Sequence, residues 1–162
     1  MKKFVLSVLV LSMVLLNLSC GKSDTSGCQP ASIASEKAQM VAYCTANGIN
    51  YTESSSGLLY EIIAPGSGLA PVSTSIVSAV YTGKLLNGTT FDATANPVSF
   101  SLSGVIDGWK IGLPLIKKGG RIKLVIPSAL AYSCTGSKNG AGQYVINPNE
   151  PLFFDVTLTD VR

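Results

Sequence analysis

The sequence contains no histidine, and this absence excludes several classes of enzyme chemistry. Ser-His-Asp and Cys-His nucleophilic schemes both need an imidazole, and so do metal sites built on histidine. The four cysteines form no CxxC pair, and the glycine-rich stretch TGSKNGAG lacks the Lys-Ser/Thr end and the strand-to-helix setting of a phosphate loop. We therefore expect neither a bound metal nor a cofactor.

Charge is also scarce, since Asp, Glu, Lys and Arg make up 13% of the chain. Glycoside hydrolysis would need two acids in one cleft, and the scattered acids leave only Asp92 and Asp107 as candidates. The 12 basic and 9 acidic residues are nearly balanced, which gives no indication of nucleic acid as a partner.

The N-terminus has the pattern of a secretory signal peptide over residues 1–19. Lys2 and Lys3 precede an apolar run, residues 4–16, that is too short for a comfortable membrane span. The letters LNLSC resemble a lipobox, although Asn17 stands where leucine is common, and this predicts cleavage before Cys20 and lipid on its thiol. An ordinary signal peptide with a chance cysteine is the alternative. Both alternatives predict an exported protein, and a lipobox predicts in addition that lipid anchors it in the bacterial cell envelope.

Residues 20–34 are polar, small and rich in Gly, Ser and Pro, which is typical of a flexible tether between an anchor and a domain. An exported chain can form disulfides, and three cysteines remain once Cys20 is assigned to lipid. We expect Cys28 to pair with Cys44, because both lie in the N-terminal segment, and Cys134 to be free. A bond between Cys44 and Cys134, or three reduced thiols, are the alternatives.

Residues 35–50 predict an accessory helix. Ser35 is an N-cap candidate and Gly48 a C-terminal glycine. Met40, Val41 and Cys44 cluster on one side, so the helix should pack against the main domain.

From Tyr51 onward the pattern changes to the period of strands. Residues 56–63, 76–86, 98–102, 122–126 and 152–159 combine β-formers with alternating polarity, and NGT after residue 86 predicts a tight turn. The segment GVIDGWKIGLPLIKKGG between two of these strands can hold a helix of only about two turns. Amphipathic strands around one short apolar helix predict an α+β domain over residues 51–162, with an antiparallel sheet curled around that helix.

Aromatic residues fall at the ends or inward positions of these predicted elements. Taken singly, each ring is an ordinary core residue. Together with two aliphatic side chains they could line one apolar concavity, formed by Tyr81, Phe91, Val105, Ile106, Trp109, Tyr132 and Phe154.

Four stretches in the same order and spacing carry a family resemblance. VYTGKLLNGTTFDAT, PVSFSLSGVIDGWKIGL, IPSALAYSCTG and PLFFDVTLTDV are similar to motifs of the FK506-binding protein (FKBP) family of peptidyl-prolyl cis/trans isomerases, over about residues 54–162. The resemblance implies a half-barrel sheet around a short helix, with Trp109 as the floor of a pocket for a proline ring. It implies walls from Tyr81, Phe91, Val105, Ile106 and Phe154.

The resemblance also implies roles at the pocket rim. Asp92 and Tyr132 would be the polar catalytic groups, and the backbone N–H of Ile106 would donate to a substrate carbonyl. Val98 stands where many members have a third phenylalanine, which implies a thinner aromatic wall. Ser133 and Cys134 follow Tyr132 where a glycine is common, and the loop after them is longer than in small members of the family.

The resemblance implies an isomerase of X-Pro bonds that assists the folding of exported polypeptides in the cell envelope. The expected partners are proline-containing unfolded or partly folded chains, with the membrane reached through the lipid anchor and no cofactor. We expect a monomer. The alternative is a lipoprotein that binds proline segments as a chaperone with little or no turnover, which the valine at position 98 would favour.

Overall fold

The computed structural model describes residues 27–162. The predicted signal peptide, the predicted lipid site at Cys20 and residues 21–26 of the predicted tether lie outside the described residues. Within the described part, no helix combines the length and apolar character needed to cross a membrane.

Helix α1 spans Ile33–Ala46, two residues earlier than its predicted start. Its N-cap is Ser32, whose Oγ accepts a hydrogen bond from the N–H of Ser35 at 3.2 Å. The prediction of Ser35 as the cap was therefore wrong. Both serines have the short polar side chain that caps require, so residue type alone did not distinguish them.

The strands of the domain form one large sheet and one small hairpin. They are β1 Thr52–Glu53, β2 Leu59–Ala64, β3 Ile76–Leu85, β4 Thr90–Ser101, β5 Arg121–Ile126, β6 Ser137–Lys138, β7 Tyr144–Ile146 and β8 Leu152–Val161. The large sheet is antiparallel, with the order β1-β2-β5-β8-β3-β4, and β6 pairs only with β7. Strand β4 therefore lies at an edge, while β8 is held between β5 and β3.

One face of the sheet packs against the short helix α2, Asp107–Gly112, which lies between the 3₁₀ turns Leu102–Gly104 and Leu113–Leu115. Two glycines allow the close approach. A Cβ at Gly108 would lie 2.5 Å from the Ile126 side chain, and one at Gly112 would lie 2.6 Å from that of Leu124. The side chains of Ile126 and Leu124 on β5 thus fill the space that a side chain at position 108 or 112 would need. The predicted α+β fold, a sheet wrapped around one short helix, is confirmed.

The opposite face of the sheet is covered by α1. Met40 and Cys44 of the helix pack with Leu59, Val125 and Phe153, which lie side by side on β2, β5 and β8. The alternation of β8 therefore separates two neighbouring rings, since Phe153 faces α1 and Phe154 belongs to the core on the α2 side.

The disulfide joins Cys28 to Cys134, with a Cα–Cα distance of 5.3 Å, and Cys44 is a buried free thiol. The predicted pairing of Cys28 with Cys44 was wrong, and so were both alternatives. Cys44 is fully buried against the sheet, where burial raises the pKa of its thiol to about 11. The prediction relied on closeness in the sequence. The segment before α1 runs toward the loop after Tyr132, so Cys28 lies next to Cys134 instead.

Candidate functional site

A single concavity brings together the aromatic residues of the α2 side. Its cavity volume is about 290 Å³, and its lining residues are Tyr81, Phe91, Asp92, Phe100, Gly104, Val105, Ile106, Trp109, Tyr132 and Phe154. Strands β3, β4 and β8 supply the rings on one side. The α2 segment and the turns after β5 supply the other, so five elements of the chain build the site.

Trp109 forms the floor of this pocket and is only 4% exposed. Its backbone N–H donates to the carbonyl of Ile106 in the first turn of α2, which fixes the start of the helix beneath the sheet. Three rings meet the indole almost perpendicularly, with centroids 5.2–5.5 Å away: Tyr81, Phe100 and Phe154. Each such edge-to-face pair contributes about 0.5–1.5 kcal/mol beyond burial, so the floor is held from several directions.

Phe91 and Phe154 form one wall. Their ring centroids lie 5.5 Å apart with an interplanar angle of 85°. Both rings close over Gly83 of β3, where an added Cβ would lie 2.7 Å from Phe91 Cζ and 2.8 Å from Phe154 Cε1. Because Gly83 has no side chain, there is space for both rings of this wall.

A charged hydrogen bond crosses the rim. The hydroxyl of Tyr81 donates to Oδ2 of Asp92 at 2.5 Å, and the pairing of β3 with β4 sets Asp92 opposite Gly83. Burial, followed by the hydrogen bond and the charge of Asp92, raises the pKa of Tyr81 well above its ordinary value. The carboxylate is thus held at the pocket edge next to Phe91, with one oxygen committed to Tyr81.

Tyr132 lies across the rim, in the turns that follow β5. It is half-buried, and burial, with a smaller contribution from the charge of Asp92, raises the pKa of its hydroxyl. A phenol that keeps its proton can donate a hydrogen bond. Among residues 27–162 this hydroxyl makes no hydrogen bond to another protein group, and the backbone N–H of Ile106 donates to no backbone carbonyl. Two donors at the pocket are therefore free for a ligand.

Val98 is the one predicted pocket residue that the structure places elsewhere. It lies on the edge strand β4 opposite Ala79, is 42% exposed and is not part of the lining. Phe100 occupies the wall instead, 5.5 Å from Trp109 and 5.8 Å from Tyr81. The irregular pairing between Ala79 and Tyr81 shifts the register of β4 at this point. The expected thinner aromatic wall was wrong, because Phe100 supplies the third phenylalanine.

The sequence carried a signal for Phe100, which alternates with Val98 and Leu102 in the predicted strand. Of two residues on one strand face, the aromatic one was the better choice for a wall. Gly104, the other lining residue that the prediction missed, has no side chain that could have signalled it. Asp107 is not in the pocket lining and forms an exposed ion pair with Lys110 at 2.9 Å.

Comparison with known proteins agrees with this architecture. The family model described as FKBP-type peptidyl-prolyl cis-trans isomerase matches residues 68–159, which is more than half of the chain. The half-barrel and its tryptophan-floored pocket thus define a protein of the prolyl isomerase class. The chain belongs to the FKBP-type peptidyl-prolyl cis-trans isomerase family, as the four sequence motifs predicted.

Relatives from two bacteria match 67% and 72% of the chain. The FKBP-type peptidyl-prolyl cis-trans isomerase FkpA of Escherichia coli K12 is 46% identical over 112 residues, which are 67% of this chain and 39% of the relative. A probable FKBP-type peptidyl-prolyl cis-trans isomerase of Haemophilus influenzae is 44% identical over 120 residues, 72% of this chain and 48% of the relative. The chain therefore spans about two fifths to one half of the length of these curated relatives.

Solved structures share the fold. The crystal structure of FkpA from Escherichia coli matches with a TM-score of 0.66 and 42% identity, covering 80% of this chain and 61% of that one. A peptidyl-prolyl cis-trans isomerase from Pseudomonas syringae matches with a TM-score of 0.66 and 29% identity, covering 82% of this chain and 98% of that one. The second protein is covered almost completely, so the shared fold includes nearly all of it.

Proposed function

We propose that this protein is a peptidyl-prolyl cis/trans isomerase that acts on X-Pro bonds of polypeptides, with residues 51–162 as the catalytic domain. The observation that carries the proposal is the pocket itself. Trp109 lies beneath three perpendicular rings in a cavity of about 290 Å³, and two free hydrogen-bond donors stand at its edge. Membership in the FKBP-type family supports the same reaction.

The physical basis is the electronic change during rotation. A planar peptide bond is stabilised by resonance, which gives a rotation barrier of roughly 18–20 kcal/mol, and X-Pro bonds populate both isomers. Resonance is lost in the twisted transition state, which makes the amide less dipolar. An apolar pocket with little water therefore favours the twisted state over the planar ground state, and this difference in binding lowers the barrier.

The rim groups are proposed to orient the substrate during that rotation. We propose that the hydroxyl of Tyr132 donates a hydrogen bond to the substrate and that the N–H of Ile106 donates to a substrate carbonyl. Asp92 holds Tyr81 through their 2.5 Å hydrogen bond, and its charge polarises the same edge of the pocket. Hydrogen bonds that strengthen in the twisted state add to the contribution of the apolar walls.

The first test is the cis-to-trans rate of short X-Pro peptides with the purified protein and with Tyr132→Phe. We expect the protein to accelerate the exchange, and the variant to lower kcat/KM by about 2- to 10-fold, which corresponds to one hydrogen bond of roughly 0.5–1.5 kcal/mol. Tyr144→Phe is the matched control, because Tyr144 is 47% exposed on β7 and does not line the pocket. A folded protein that leaves the rate unchanged would refute the proposal.

The alternative, a module that binds proline segments without turnover, has lost its main support. It depended on Val98 replacing an aromatic wall residue, whereas Phe100 provides that wall. Binding without acceleration in the assay above would revive it.

We also propose that the protein is exported and anchored by lipid on Cys20. The Cys28–Cys134 disulfide supports export, because structural disulfides persist in oxidising compartments. The lipobox-like LNLSC sequence supports the anchor. In cells supplied with labelled fatty acid, the protein should take up label and remain with the membrane fraction, and Cys20→Ser should abolish both. Membrane retention of the Cys20→Ser protein would contradict the lipid anchor.

A further inference from the structure

The chain just before and at the start of α1 is attached to the segment that carries Tyr132. The first attachment is a buried carboxylate. Glu36 is only 4% exposed, and its two oxygens accept hydrogen bonds from the backbone N–H of Ser128 at 2.8 Å and from its hydroxyl at 2.5 Å. Ser128 is fully buried as well, and it opens the 3₁₀ turn Ser128–Leu130 that follows β5. A helix on the outer face of the sheet thus holds the start of a loop that leads to the pocket.

The second attachment lies on the other side of Tyr132. Cys134 lies two residues after Tyr132, in the 3₁₀ turn Ser133–Thr135, and forms the disulfide with Cys28. Asn149 makes two hydrogen bonds to the N-terminal segment that links Cys28 to α1. Its Oδ1 accepts from the N–H of Ala31 at 2.9 Å, and its Nδ2 donates to the carbonyl of Gln29 at 3.1 Å. The N–H of Asn149 itself donates to the carbonyl of Ser133 at 2.8 Å.

Tyr132 therefore lies between two fixed points, Ser128 before it and Cys134 after it. No strand of the large sheet contains this stretch, and Ser133 has a φ of 51°, in the left-handed region that residues other than glycine seldom adopt. Backbone in such a conformation persists when its surroundings determine it. The surroundings here include residues 28–36, which lie outside the part of the chain that the family model matches, residues 68–159.

We propose that residues 28–36 position Tyr132 at the pocket rim, an inference that rests on the proposed isomerase function. Glu36 and the Cys28–Cys134 disulfide are the positioning residues, and they act only through Tyr132, since none of them lines the pocket. Loosening either attachment should leave the tryptophan floor and the phenylalanine walls in place. The cost should fall on the hydrogen bond that the Tyr132 hydroxyl offers to the substrate.

A double-mutant cycle tests this coupling. The variants are Glu36→Gln, the pair Cys28→Ser with Cys134→Ser, and each of these combined with Tyr132→Phe. With an Ala-Pro peptide as substrate, we expect either positioning variant alone to lower kcat/KM by about 2- to 10-fold, and by less than about twofold once Tyr132 is already phenylalanine. Equal losses in both backgrounds, or no loss in either, would overturn the inference.

Amide hydrogen exchange gives a second readout that does not depend on turnover. In both positioning variants, exchange within residues 128–136 should accelerate more than exchange in β3 and β8 beneath the pocket, where any increase follows the loss of global stability. Acceleration at residues 128–136 that does not exceed the increase in β3 and β8 would count against the inference. Lys37→Gln is the matched control, because it breaks an exposed ion pair from α1 to Glu53 of β1 at 2.7 Å and touches nothing near Tyr132. Unchanged exchange at residues 128–136 in both variants would also overturn the inference.

The two proposals can fail separately. If the unmodified protein does not accelerate isomerisation, the proposed function fails, whatever the variants do. The role of residues 28–36 is then decided by the exchange measurement and by the affinity for the same peptide, followed by Trp109 fluorescence. If the unmodified protein is active and the cycle is additive, only the positioning role fails.

Discussion

Replacing Trp109 with leucine is expected to lower kcat/KM for X-Pro peptides by about 100-fold. The indole supports three rings through near-perpendicular contacts at 5.2–5.5 Å. At about 0.5–1.5 kcal/mol for each contact, their loss amounts to roughly 1.5–4.5 kcal/mol. That packing energy is lost from the stability of the pocket, whereas the rate falls because the twisted X-Pro bond loses its apolar floor; a transition-state loss of about 3 kcal/mol corresponds to roughly two orders of magnitude in rate. The measurement is the initial rate of cis-to-trans exchange under conditions where the variant is shown to be folded.

Phe153→Leu provides the matched control for this experiment. Phe153 is a ring buried to a similar degree, but β8 turns it toward α1, where it packs 5.3 Å from Tyr43. Its replacement should destabilise the protein by about 1 kcal/mol or more and leave kcat/KM within about twofold of the unmodified protein. If both variants lose the same activity, the effect of Trp109 is one of general packing, and the pocket assignment fails.

Removing the disulfide should cause the largest loss of stability. Replacing Cys28 and Cys134 together with serine is expected to lower the free energy of unfolding by about 2–5 kcal/mol, because the bond closes a long loop in the unfolded chain. The two cysteines are 106 residues apart in the sequence, so the bond restricts most of the described chain. Urea unfolding of the unmodified and the double-serine proteins measures the difference.

Reducing agent supplies the control for the disulfide measurement. It should lower the urea midpoint of the unmodified protein and leave that of the double-serine variant unchanged. Cys44 is buried against the sheet and takes no part in a bond, so it should not respond. A double-serine variant as stable as the oxidised protein would show that the bond is dispensable for stability.

The strands and the floor of the pocket were predictable from local pattern. Alternation along residues 122–126 and 152–158 reflects a sheet with a distinct core face, and the position of Trp109 in a short apolar segment reflects the helix that the sheet covers. Such signals are contained in stretches of a few residues. They survive because burial of one face is the dominant favourable term for each element.

The errors arose where the answer depends on the path of the chain in space. Val98 was misplaced because β4 pairs irregularly with β3 between Thr94 and Val98; Pro97 marks this irregularity in the sequence but does not tell which side chain of the strand reaches the pocket. The disulfide was misassigned because Cys28 is nearer to Cys44 along the chain. The contact of Glu36 with Ser128 joins residues 92 positions apart. A glutamate on a short helix is ordinarily exposed, so its burial left no trace in the sequence.

The place of β8 in the sheet has a consequence for the order in which the chain can fold during synthesis or transport. Within residues 27–162, β8 follows the seven other strands in the sequence, yet it lies between β5 and β3 and pairs with both. Until it is available, the sheet is two separate halves, β1-β2-β5 and β3-β4, each with an open edge that can pair with another chain. Cys134 also emerges long after Cys28. When the chain emerges from its N-terminus, the edges of β5 and β3 stay unpaired until β8 is available. Pairing of β8 with both strands then completes the sheet in one step.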